Sequence, residues 1–160
     1  MISAGRSDRF RLQAISAATG AAALLFIAST AAVAWEFSPT PVCTLSHATE
    51  AAEVLVTYDP SRPQPYAIAV TGSAPWPDAP VFSMRFDGQR GMTISTDRQK
   101  LSNGGRTLTV TDTGFGNVLD GLELNHTAAA IAGNVEVPFS LAGAAPEVQA
   151  FRACAEAPTA

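Results

Sequence analysis

This sequence is poor in the residues that usually carry chemistry. It has two cysteines and two histidines in 160 residues. The cysteines, Cys43 and Cys154, do not form a C-x-x-C pair, so the usual redox signature is absent. The histidines, His47 and His126, stand alone, with no H-x-x-x-H or H-E-x-x-H spacing and no carboxylate cluster to complete a metal site. A nucleophile elbow of the G-x-S-x-G type is missing. Thr113-Gly114-Phe115-Gly116 is not followed by the Gly-Lys-Thr of a phosphate loop. No stripe of Lys and Arg is interleaved with aromatics, which argues against nucleic acid or an anionic membrane surface as partner. Internal repeats and low-complexity stretches are also lacking. No cofactor or metal is expected.

Charge is missing from one long run. Between Leu12 and Ala34 there is none, and Ala22 to Ile27 is the most apolar part. Arg6, Arg9 and Arg11 precede this run, and Ala32-Val33-Ala34 closes it just before Trp35. A basic head, an apolar middle and an A-x-A end make residues 1–34 a cleaved secretory signal peptide, cut between Ala34 and Trp35. An uncleaved anchor is the alternative, and the run is long enough to span a bilayer. Its Ala, Ser, Thr and Gly insert weakly, however. No Arg-Arg pair marks the twin-arginine route. Thr-Pro-Val before Cys43 is not the small-residue pattern of a lipid-modified cysteine.

Residues 35–157 then read as a single β-rich domain, large enough for one continuous core, and 158–160 as a disordered tail. The whole chain carries ten Lys and Arg against fourteen Asp and Glu, a formal charge of −4. Setting aside the three arginines and one aspartate of residues 1–34 leaves seven against thirteen, or −6. An even cysteine count in an oxidising compartment reads as a disulfide, and two cysteines leave one pairing. Cys43–Cys154 would tie the first strand to the last helix across 111 positions. Chain-entropy estimates for such a loop are roughly 4–5 kcal/mol.

Apolar and polar residues alternate in short segments separated by turn residues. Val42–His47, Glu53–Tyr58, the stretch around Tyr66, Ile68 and Val70, and Phe82–Phe86 are read as strands. Asp87-Gly88 with Gly91, and Asn103-Gly104-Gly105, are hairpin turns. Phe115, Val118, Leu119 and Leu122 fall at helical spacing, which predicts a helix over Gly114–Leu124 capped by Asp112 or Thr113. Ala128–Ile131 pairs with Val135–Leu141, where Pro138 marks an edge strand or a bulge. Pro146 is placed at the first position of a closing helix, with Glu147 favouring its positive end and Val148, Phe151 and Cys154 on one face. About eight short strands and two short helices, one of them C-terminal, give an antiparallel β-sandwich or a partly closed barrel.

Few residues invite a functional reading. His47 and His126 are each capable of acting as a base or ligand, but both read as solvated or hydrogen-bonded surface residues. Trp76, framed by Pro75 and Pro77, is a possible binding loop. The competing reading folds its ring back onto one end of the core. Asn125-His126-Thr127 is a formal glycosylation sequon.

From Arg106 to Cys154 the layout resembles the small periplasmic proteins of the invasion-associated locus B type. The likeness lies in a strand, the segment Asn117–Asn125, a hairpin, and Pro138–Phe151 with Ser140, Leu141 and Gly143 before the terminal helix. Trp35 followed by Cys43 is similar to that family's start. The extra mid-chain cysteines usual in the family are absent. The resemblance implies a β-rich module near the envelope, with no catalytic residues to carry over. The expectation is therefore a periplasmic or secreted, monomeric, non-catalytic binding or structural module of the cell envelope. Its partner is an unidentified protein or envelope component. The rival is a small hydrolase or isomerase with a site assembled around His47 or His126.

Overall fold

The structure is a computed structural model and describes residues 34–157. The segment assigned to export, apart from Ala34, and the tail 158–160 lie outside the described residues. Ten strands and two helices run in the order β1 (Glu36–Ser38), β2 (Cys43–Ala48), β3 (Ala52–Tyr58), β4 (Tyr66–Gly72), β5 (Phe82–Gly88), β6 (Met92–Thr96), β7 (Lys100–Ser102), β8 (Thr107–Asp112), α1 (Gly116–Leu124), β9 (Asn125–Ala132), β10 (Val135–Ser140) and α2 (Ala144–Glu156).

Every described strand pairing is antiparallel, as the short hairpin connections require. One sheet has six strands in the order β1-β2-β3-β4-β8-β7, the other four in the order β10-β9-β5-β6. Neither closes into a barrel, so the architecture is sandwich-like. Residues at every second position fill the core: Leu45 on β2, Val54 and Val56 on β3, Val70 on β4, Met84 and Phe86 on β5. β1 and β7, three residues each, are too short to display a period of two, which is why alternation alone finds about eight strands. Pro138 does sit on an edge strand, since β10 ends its sheet and pairs only with β9.

Both helices begin differently from the sequence expectation. α1 starts at Gly116 after Phe115, with no side-chain cap. Asp112 is still in β8, where its carboxylate accepts the Thr113 N–H at 2.7 Å. Phe115, at the N-cap position, is buried instead. α2 starts at Ala144 after Gly143, whose φ of 79° is a left-handed conformation that glycine adopts without steric cost. Pro146 is thus the third helical residue, not the first. Its missing N–H is still among the four that a helix leaves unpaired, so the fold tolerates it. Among the described residues no helix is long and apolar enough to cross a membrane.

Candidate functional site

The two flanks of the sandwich are built differently. On one, β1 and β10 are the edge strands, Trp35 links them, and α2 packs on β1 and β2 with the disulfide beside it. The Trp35 Nε1 donates to the Ser140 carbonyl at 3.0 Å, and its ring stacks on His47. Glu147 accepts the Phe37 N–H at 3.0 Å, a use of its carboxylate beyond the helix dipole. Cys43 and Cys154 are bonded, with Cα atoms 6.1 Å apart. Because β1 precedes Cys43, the bond ties the second strand, not the first, to the closing helix. Ala34 and Trp35 lie just before β1, and Trp35 is only 4% exposed.

Among the singled-out side chains, the expectation for His47 needs correction, whereas His126 is exposed as expected and the ring of Trp76 folds back onto the core. His47 is a core residue, 4% exposed, not a surface one. It follows Cys43 and Leu45 at the inward positions of β2, a placement the alternation of that strand already encodes. His126 is exposed on β9, and the main chain there is engaged by the Leu141 N–H at 2.9 Å. Trp76 is 5% exposed and so cannot serve as an open binding anchor. Its Nε1 donates to the Val70 carbonyl at 3.0 Å, and the loop is pinned to the β7–β8 turn by Trp76 N–H to the Gly105 carbonyl at 2.9 Å. The sequon asparagine is also occupied. Asn125 is buried, its Nδ2 donating to the Gly121 carbonyl and its Oδ1 accepting the Arg90 N–H, both at 3.0 Å. In the folded chain that amide is not available to an oligosaccharide. Among the described residues no group of three or more His, Cys, Asp and Glu is placed to hold a metal ion.

The opposite flank carries the candidate site. There β6 is an edge, and β7 covers β8 only over Thr107–Thr109, so Val110–Asp112 have no strand on that side. The sheets part to leave a cleft of about 390 Å³. One wall is Ile68 and Val110, the other Phe82, Met84 and Ile94, and the segment 114–118 with Phe115 and Val118 lies over it. Its floor is therefore core surface, since Ile68, Phe82, Met84 and Val110 are otherwise buried. Phe115 is held in place by stacking on Tyr66, ring centroids 5.5 Å apart, and Tyr66 leans on Tyr58 at 4.7 Å. The partial burial of Tyr66 raises its phenol pKa.

Polar groups gather at the mouth. Arg98 follows β6 in a turn fixed by its own N–H donating to Thr96 Oγ1 at 3.1 Å. Its Nη2 forms an ion pair with the carboxylate of Asp112. The Thr113 N–H, foremost, and then the Arg98 guanidinium hold the Asp112 carboxyl below the usual carboxylate range. Ser95 also lines the cleft, with its hydroxyl engaged by that of Ser83 at 2.8 Å. No histidine, lysine or cysteine is in the lining, and Asp112 is its one carboxylate. A nucleophile with an adjacent base is thus not assembled there. What the cleft offers is mainly apolar surface, with Ser95, Thr96 and Asn117 in the lining beside the paired Arg98 and Asp112. Sequence reasoning did not find it, because its walls come from four strands and a loop that only the pairing of the sheets brings together.

Compared with models of known protein families, with curated proteins and with solved structures, the chain matches none of them.

Proposed function

We propose that this protein is an exported, non-catalytic binding module of the bacterial cell envelope, holding a small ligand in the cleft between its two sheets. The observation that carries the reading is the cleft itself. Ligand sites are typically concave, mostly apolar and about 300–1,000 Å³, with a few polar groups that fix orientation. A space of about 390 Å³ with a core-like floor and the Arg98–Asp112 pair at its mouth fits that description at the small end. Location outside the cytosol is supported by the basic head, uncharged run and A-x-A end of residues 1–34, and by the single disulfide. The resemblance to the invasion-associated locus B type points the same way. The hydrolase or isomerase alternative around His47 or His126 gains no support, since neither lines the cleft.

The test is binding of Nile red, an uncharged dye that brightens in apolar surroundings. The wild type is expected to enhance its emission saturably, and Val118→Trp, which fills the cleft from a half-buried wall position, to abolish the effect. Equal emission from both folded proteins places the dye elsewhere and defeats the proposal. N-terminal sequencing of the exported protein checks the compartment, with Trp35 as the expected first residue.

A further inference from the structure

Resting on the reading of the cleft as a ligand site, we infer that its ligand is an uncharged amphiphile with a short apolar body and one head group that both donates and accepts a hydrogen bond, such as an alcohol or amide. Size sets the body. At about 390 Å³ the cleft lies at the small end of ligand-pocket volumes. That suits a compact apolar body, from an eight-carbon chain to a small aromatic dye.

The mouth sets the head. Arg98 and Asp112 are opposite charges already paired, so the opening carries no net charge. A ligand carboxylate reaching Arg98 must also approach Asp112, and an ammonium reaching Asp112 must approach Arg98. Each approach places like charges together. A wholly apolar ligand avoids this, but it strips water from both groups and returns no hydrogen bond. A hydroxyl or amide meets both requirements. It donates to the carboxylate and accepts from a guanidinium N–H other than the one engaged by Asp112, leaving the pair intact. Arg98 has five N–H donors, and the ion pair with Asp112 takes one at Nη2. Asp112 is braced independently of any ligand by the Thr113 N–H on Oδ1, so the pair is a fixed feature of the mouth.

Octanol, octanoate and octylammonium share one chain and differ only in the head, and each can displace Nile red at neutral pH. The wild type is expected to bind octanol about tenfold more tightly than either ion. Asp112→Asn leaves the mouth with a net positive charge, and octanoate is then expected to gain about tenfold over octanol. Arg98→Gln leaves it negative, and octylammonium gains instead. Both side chains are partly exposed, and circular dichroism of each variant checks that it has folded. If Nile red binds in the cleft but head preference is the same in all three proteins, the ligand assignment is wrong and the cleft reading survives. Were octanoate the tightest ligand of the wild type, the assignment would equally fall. If Nile red is insensitive to Val118→Trp, the cleft reading itself has failed.

Discussion

The indole of Trp35 lies flat on the imidazole of His47, ring centroids 4.7 Å apart and planes 9° from parallel. The same indole tilts against Phe139 and donates to the Ser140 carbonyl, so one side chain bridges β2 of the larger sheet and β10 of the smaller. With α2 and the disulfide beside it, this closes one flank of the sandwich. On the other flank the Arg98–Asp112 ion pair spans the two sheets beside the cleft.

Trp35→Ala is therefore expected to cost about 3–5 kcal/mol, the range for deleting a buried large aromatic. Trp35→Phe retains an aromatic ring over His47 and loses the bond to Ser140, so its cost is smaller, with about 1 kcal/mol of it from the lost hydrogen bond. Urea unfolding followed by circular dichroism measures both. A loss under 1 kcal/mol for the alanine variant would show that α2 and the disulfide close this flank unaided.

The disulfide joins residues 111 positions apart, so opening it releases a long loop in the unfolded chain. Replacing both Cys43 and Cys154 by serine is expected to lower stability by about 4–5 kcal/mol on chain-entropy grounds. The cleft is walled by other residues, so the variant that remains folded should still bind Nile red. Mass spectrometry of the native protein should detect no free thiol. Two free thiols would remove the main structural support for an oxidising compartment.

Gly121 on α1 lies against the ring of Phe86, where an added Cβ would come within 2.6 Å of ring carbons. Phe86 is 1% exposed and has no room to retreat, so Gly121→Ala must push the helix off the smaller sheet. The expected cost is about 1–3 kcal/mol, as for other overpacked cores, despite the better helix propensity of alanine. Gly116→Ala in the same helix meets nothing within 4 Å and should be close to neutral. A neutral Gly121→Ala in thermal unfolding would mean that the approach of α1 to β5 is looser than the structure places it.

Much of this fold is written locally in the sequence. Phe82, Met84 and Phe86 announce an inward face, and Asp87-Gly88 and Asn103-Gly104-Gly105 announce turns that the hairpins use. A residue's role is not written locally where it comes from tertiary neighbours. Asn125 looked like part of a sequon, yet its amide links the end of α1 to the β5–β6 turn. Asp112 looked like a helix cap, yet it faces Arg98 from a strand. His47 is the instructive case, because its inward position was legible in the period of β2 and its polarity argued for the surface. Pattern outweighed residue type there.

Asp112 gives the fold a pH-dependent contribution that can be isolated. Its carboxyl is held below the usual range by the Thr113 N–H and Arg98, so it releases its proton at lower pH in the folded chain than in the unfolded one. Its contacts then stabilise the fold fully above the unfolded value of about 3.9 and lose that contribution as pH falls through the lowered folded value. Asp59 is lowered too, chiefly by Ser61, but it is present in both wild type and Asp112→Asn and cancels in their difference. The wild type is expected to be more stable than Asp112→Asn by a constant margin from neutral pH to about pH 5, shrinking below about pH 4. Urea unfolding of both proteins across that range measures the margin. A margin that stays level down to about pH 3 would show that the Asp112 carboxyl titrates alike in the folded and unfolded chains, and the Arg98–Asp112 pair would then be no fixed feature of the mouth.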